Sequence, residues 1–267
     1  MGTDTKHRGH ELGSQQLPIM APCRKIRAME PFHWLELGYL DFTAAPRESA
    51  TYGAIITVFV YLLAYLAWRF GSLPFLLALG SGVMFLGPVL AFGLYSISRQ
   101  LGMGLQPKLG YCLNEGKRHL GNELVFAIML LVVFLVWARA ASIIHIFFPV
   151  ESDAGLQDYL LYLSIGSSVG ALFSALIFTA SAFSLPMFMD RKVDVITAVV
   201  TSFNAVLNNK KPMLVWSGII LFALLFGLLT AFIGLILILP IIGHATWHAY
   251  KAVIDASEWP QHDDIKP

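Results

Sequence analysis

The sequence is short of charge. Only 13% of its 267 residues are Asp, Glu, Lys or Arg, against about 25% in soluble domains. That deficit argues against a soluble globular protein. The net charge is only +1, which gives no electrostatic case for nucleic acid as a partner. Cysteine is nearly absent. Cys23 and Cys112 are too few for a disulfide framework, and both fall on the side assigned below to the cytoplasm, where thiols stay reduced. Met1 to Arg27 lacks an apolar run before a small-residue cleavage site, so no signal peptide is expected. There is no P-loop, dinucleotide fingerprint, nucleophile elbow, zincin motif or CxxC. An enzyme is disfavoured on that ground, although membrane enzymes that assemble sites from scattered residues stay open.

Apolar sequence fills the space that charge leaves. The chain is 57% hydrophobic with a mean hydropathy of +0.67. An all-α polytopic membrane protein is expected. Residues 1–28 read as a flexible tail, 29–256 as the membrane domain and 257–267 as a second polar tail. Pro31 suits the first turn of a helix. Phe32, Leu35, Tyr39 and Phe42 then form one stripe, so Pro31 to Ala44 reads as an amphipathic helix in the membrane interface, ended by Pro46.

Spans are expected at about Tyr52 to Phe70, Phe75 to Ile97 and Leu124 to Phe147. The fourth begins near Tyr159 and stays apolar to Met189, longer than the ~20 residues a bilayer needs. It must tilt, break near Pro186 or extend past the hydrocarbon. Met213 to Tyr250 is one apolar run of 38 residues, roughly 57 Å as a straight helix against a core of ~30 Å. Two spans joined by a tight turn near Leu229 to Phe232 fit it better. Two further polar segments carry helical stripes: Leu109, Cys112, Leu113, Gly116 and Leu120, and then Ile196, Val199, Val200, Phe203, Val206 and Leu207.

Six spans with the N-terminus inside leave sixteen of the 18 Lys and Arg on the inner face, with Arg69 and Arg139 near the outer ends. This is a strong positive-inside bias, and it places both termini in the cytoplasm. An amphipathic segment, a polar break and two spans recur three times, with breaks at Ala45-Pro46, Gly121-Asn122 and Asn209 to Pro212. The expected architecture is therefore three hairpins with short cytoplasmic amphipathic helices. Against a true repeat, any six-span chain with basic inner loops has some of this look.

Several stretches together resemble a known family. They are Trp34 to Phe42, Gly87-Pro88 with Gly93-Leu94-Tyr95 and Ser98-Arg99, Leu185-Pro186 with Asp190-Arg191, and Gly243 to Tyr250. The chain is similar over about Phe32 to Val253 to the bacterial integral membrane proteins catalogued as domain of unknown function 2189. The resemblance implies the bacterial inner membrane. It supplies no activity, substrate or catalytic residue.

Candidate site residues lie at the inner ends of the spans. His244 and His248 share a helix face. The pair allows three readings: an interfacial belt with Trp247 and Tyr250, a metal or haem site, or a protonation switch. His33 and His119 are expected on the same side. Asp41, Glu115, Asp190 and Asp194 are the acidic residues near inner span ends, and Asp190-Arg191-Lys192 could join Asp194 and the His pair in a polar site. Trp34, Asp41, Asp190, Arg191, Trp247 and Tyr250 are the candidates for facing the interface or a partner. No cofactor is predicted; haem or metal on His244 and His248 is the alternative.

The middles of the spans lack Asp, Glu, Lys and Arg, which counts against an ion-coupled pump. The fourth span is rich in Ser and Gly, and Gly166-Ser-Ser-Val-Gly170 matches GxxxG. Close helix packing and a polar transport path both fit that composition. The expected role is a non-catalytic accessory or assembly component whose partners are the bilayer and another membrane protein, with a small-solute transporter or channel as the alternative.

Overall fold

The computed structural model describes residues 17–70, 90–112, 120–148 and 155–262. These form the helices α1 (Glu30–Ala44), α2 (Pro46–Phe70), α3 (Phe92–Gly102), α4 (Leu120–Phe147), α5 (Leu156–Ser181), α6 (Ser184–Asp190), α7 (Val195–Asn208), α8 (Lys210–Leu229) and α9 (Leu235–Val253). The all-α expectation holds for them. Among the described residues, four stretches are long and apolar enough to cross a membrane: Pro46–Leu66, Leu124–Ile144, Leu156–Asp190 and Lys210–Leu229. The expected second span lies mostly outside the described residues, and α3 contains its end. The expected sixth span is α9, which is not among the four; its second half carries His244, Thr246, His248 and Lys251.

Local chemistry sets the breaks. Pro186 has no N–H to give and its ring would meet the carbonyl four residues back, so the long fourth run parts at Ala182 and Phe183, before α6. Ser202 repairs the gap. Its Oγ accepts from the Phe183 N–H at 3.2 Å and donates to the Thr179 carbonyl at 2.7 Å. Between α8 and α9 the chain reverses over residues 230–234, as the length of the apolar run requires. Ala231 and Phe232 take positive φ, at 48° and 67°, which costs roughly 1–2 kcal/mol for each non-glycine residue. The Tyr61 hydroxyl bonds the Ala231 carbonyl, and its ring meets Phe232 edge-on with centroids 6.1 Å apart. Both contacts offset that cost.

Two breaks share one geometry. Ala45, between α1 and α2, has φ −134° and ψ 61°. Asn209, between α7 and α8, has φ −121° and ψ 40°. In each case the residue donates its N–H to the carbonyl four back and accepts from the N–H four ahead. The amphipathic segment of the middle unit lies largely outside the described residues, from 113 to 119.

The packing centre is α9. Helices α1, α2, α3, α6 and α8 all touch it. Glycine makes two of these approaches possible. A Cβ on Gly38 of α1 would sit 2.5 Å from the Ile241 carbonyl oxygen and 2.7 Å from the Ala245 nitrogen. A Cβ on Gly53 of α2 would collide with the Ile236 carbonyl oxygen. Trp34 of α1 also meets Trp216 of α8 edge-on, centroids 5.7 Å apart, a contact worth about 0.5–1.5 kcal/mol beyond burial.

One expectation needs correction here. Residues 17–28 are not a free tail. The Ala21 N–H donates to Thr201 Oγ1 at 2.9 Å, Cys23 bridges to Ile254, and Arg24 pairs with Asp255 at 3.4 Å. The polar end is likewise laid down as far as His262: Arg191 bridges to Gln261, and Trp259 is buried. An extended segment needs partners for its backbone, and polar side chains and exposed helix ends supply them here. The faces of the amphipathic helices fit the interfacial setting read for α1, with part of the apolar stripe turned outward. α1 buries Pro31, Trp34 and Gly38 while Phe32 and Tyr39 are exposed. α7 buries Thr197, Ala198, Thr201, Ser202, Ala205 and Val206 while Ile196 and Leu207 are exposed. On each helix part of the bulky stripe faces out and part packs inward.

Gly38→Ala should lower the stability of the detergent-solubilised protein by about 1–3 kcal/mol, the cost of overpacking. Gly170→Ala, where an added Cβ meets nothing within 4 Å, should stay within about 0.5 kcal/mol of the wild type. Thermal unfolding of the two variants side by side checks the contrast.

Candidate functional site

Three helices converge on one imidazole. His244 of α9 is fully buried. Ser49 Oγ of α2 lies 3.0 Å from its Nε2, and Ser98 Oγ of α3 lies 2.8 Å from its Nδ1. A neutral imidazole has one donor and one acceptor nitrogen. In either tautomer one serine therefore donates to the ring and the other accepts from it. Both nitrogens are engaged by protein. A metal ion at either would have to displace a serine.

One turn further along α9, His248 Nε2 lies 2.8 Å from Asp41 Oδ2 of α1. The carboxylate accepts the Nε2 proton and so fixes the tautomer, leaving Nδ1 as the free nitrogen of a neutral ring. This is the outer half of a carboxylate–histidine–metal arrangement. Among the described residues, however, no group of three or more His, Cys, Asp and Glu is placed to hold a metal ion. The two histidines of the sequence pair thus share a face of α9 but serve different neighbours.

Asp190 forms a second centre, at the end of α6. It is buried, and its Oδ2 accepts from Tyr250 Oη at 2.8 Å, Arg191 Nε at 3.1 Å and Lys251 Nζ at 3.4 Å. Arg191 Nη1 also donates to the Trp259 carbonyl at 2.7 Å. The Lys251 ammonium lies 5.9 Å from the centroids of both the Trp247 and Tyr250 rings, within cation–π range. Removing a partner from a buried carboxylate is costly, so this network ties α6 to the end of α9.

The sequence candidates divide accordingly. Trp34, Asp190, Trp247 and Tyr250, expected to face the interface or a partner, are buried against other parts of this chain. Asp41 and Arg191 are half-buried and paired. Asp190 joins Tyr250 and Lys251 rather than His244 and His248. Asp194 joins neither; it caps α7, its Oδ1 accepting from the Thr197 N–H at 3.0 Å and its Oδ2 from Thr197 Oγ1 at 2.6 Å. His33 pairs with Glu36 at the surface. His119 and Glu115 lie outside the described residues. Sequence reasoning missed Ser49 and Ser202, and it named Ser98 and Asn209 without the partners they bond. Only Asn209 carries a local signal, as the break before Lys210-Lys211-Pro212.

The comparisons agree with this membrane architecture. A family model described as predicted integral membrane protein, domain of unknown function 2189, matches residues 75–190. The match takes in Gly87-Pro88, Gly93 to Tyr95, Ser98-Arg99, Leu185-Pro186 and Asp190. It does not reach Trp34 to Phe42 or Gly243 to Tyr250, so the shared region is narrower than the resemblance read from the sequence. No curated protein and no solved structure matches the chain.

Ser98→Ala should leave one buried imidazole nitrogen unsatisfied and cost about 1–3 kcal/mol. His244→Leu combined with Ser49→Ala and Ser98→Ala should cost less than the sum of its parts, because the polar set disappears together. A cycle of thermal unfolding measurements reads both. Asp194 gives a pH signature. Burial opposes its charge, but the bonds from Thr197 outweigh it and hold the carboxyl below its ordinary 3.8. The stability it adds is present above that ordinary value and is lost as the pH falls through the lower folded value. Asp194→Ala should cost about 0.5–2 kcal/mol at neutral pH, and its deficit should shrink in acid, as unfolding from about pH 6 to about pH 3 would record.

Proposed function

We propose that the chain is a non-catalytic component of the bacterial inner membrane, serving as an accessory or assembly partner of a membrane complex. It crosses the bilayer six times with both termini in the cytoplasm. The sixteen-to-two division of basic residues supports that orientation. The tight α8–α9 reversal supports pairing the last two spans as a hairpin.

The observation that carries the role is how the polar side chains are used. His244 is held by two serines, His248 by Asp41, and Asp190 by Tyr250, Arg191 and Lys251. Each joins one helix of this chain to another part of it. The outer surface offers helix faces instead. Among the described residues, nothing outside their own stretch of α5 lies within 4 Å of where a Cβ on Gly166 or Gly170 would stand, although GxxxG permits close helix approach. A span of another protein fits such a face.

Small-solute transport along the α5 serines is supported less. Ser164, Ser168 and Thr179 turn their hydroxyls onto carbonyls of their own helix. Haem or metal on His244 and His248 would require the serine and aspartate bonds to give way.

Purification from native membranes should yield a reproducible protein partner. Gly166→Leu with Gly170→Leu should lose it while keeping the wild-type unfolding temperature. Solute flux in vesicles containing the purified chain alone would replace this reading with transport. A Soret band or stoichiometric metal, lost in His248→Ala, would replace it with a cofactor site.

A further inference from the structure

The break between α7 and α8 also fastens the N-terminal strap. Asn209 is buried. Its Nδ2 donates to the Arg24 carbonyl at 3.1 Å, and its Oδ1 accepts from the Ile26 N–H at 3.0 Å. One side chain therefore pins residues 24 to 26 beside the first turn of α8. Lys25 and Arg27 belong to or adjoin the pinned stretch, and Lys210 and Lys211 follow Asn209 directly. Four cationic side chains from distant parts of the sequence are brought to one corner.

All four are exposed. None forms an ion pair with a described residue; their neighbour Arg24 is the one that reaches an acid, Asp255. The first turn of α8 holds no acidic residue. Like charges gathered this way repel one another; the nearby acids are Asp255, which pairs with Arg24, and Glu30, whose N–H bonds the Arg27 carbonyl, and neither forms an ion pair with the four. An anion from outside would offset the repulsion.

Depth selects the anion. α8 is a candidate membrane span that begins at Lys210. A 20-residue helix matches the ~30 Å hydrocarbon core, so Lys210 and Lys211 stand at headgroup level. Apolar side chains flank them: Leu207 and Leu214 along the chain, and Met29 and Phe32 just beyond the strap, are all exposed. These suit acyl chains. A basic corner between membrane segments on the cytoplasmic side is a setting in which acidic headgroups bind.

We propose that Lys25, Arg27, Lys210 and Lys211 form a binding site for the phosphate headgroup of an anionic phospholipid. The guanidinium of Arg27 offers a planar fork to two phosphate oxygens, and the lysines act as point charges around it. Asn209 is a positioning residue. It touches the strap and not the lipid, and it holds Lys25 and Arg27 within reach of Lys210 and Lys211.

The full chain in neutral detergent should unfold several degrees higher when phosphatidylglycerol is added. Phosphatidylcholine and inorganic phosphate should each leave it unchanged. Lys25→Gln, Arg27→Gln, Lys210→Gln and Lys211→Gln together should abolish the shift, and either pair alone should halve it or more. Arg139→Gln, an exposed basic residue on α4, should keep it in full. Asn209→Ala should reduce the shift with all four charges still present. Should that variant not fold, native mass spectrometry of the charge variants counts retained phosphatidylglycerol instead. An equal response to phosphatidylcholine, a full response to inorganic phosphate, or an undiminished shift in the fourfold variant would overturn the proposal.

Discussion

The closeness of α1 and α2 to the backbone of α9 is the constraint on which the rest of the structure depends. In hydrocarbon, lipid tails are as apolar as leucine, so burial of apolar surface does little to join helices. Contact and hydrogen bonding must do it. Gly38 and Gly53 remove the side chains that would hold the helices apart. Only then can Ser49 reach His244 and Asp41 reach His248. A polar group in such a seam has no water to fall back on. The serine–histidine–serine bridge and the glycine contacts therefore support each other, since each is costly without the other.

The same physics explains the outward stripes. In a soluble protein, Phe32 and Tyr39 of α1, or Ile196 and Leu207 of α7, would mark the core. Here they are exposed, and the buried faces carry Pro31, Trp34 and Gly38 on α1, and Thr197, Ala198, Thr201 and Val206 among others on α7. Where lipid is the neighbour, bulky apolar residues lose nothing by facing out. Small residues gain by facing in, because they let backbones close. Apolar periodicity located both helices, and the outward part of the α1 stripe suits the interface it was read to lie in.

Signals that act over a few residues were legible. Pro186 located the break in the long fourth run to within a few residues, and the length of the final apolar run required a reversal where Ala231 and Phe232 now lie. Ala45 and Asn209 were readable as breaks because proline follows one directly and the other within three residues. Pairings were not legible. His244 meets Ser98 across 146 residues and Ser49 across 195, and His248 meets Asp41 across 207. A serine in an apolar span looks the same in sequence whether it faces lipid, its own helix or an imidazole. The ordered strap escaped notice for the same reason. Its polar composition resembles a tail, and its partners Thr201 and Asn209 lie far along the chain.

Ala45 and Asn209 then separate what the fold needs from what lies beyond it. Their backbones turn alike and make the same pair of main-chain bonds. Ala45 does so with no side-chain hydrogen bond to offer, so the break itself requires no amide. At Asn209 the amide reaches the strap and draws its basic residues towards those of α8. Gathering like charges opposes stability, and a fold selected for stability alone would keep them apart. The break belongs to the architecture. The clamp added to it assembles a cationic corner, and that corner is more readily explained by something it binds than by anything it holds together.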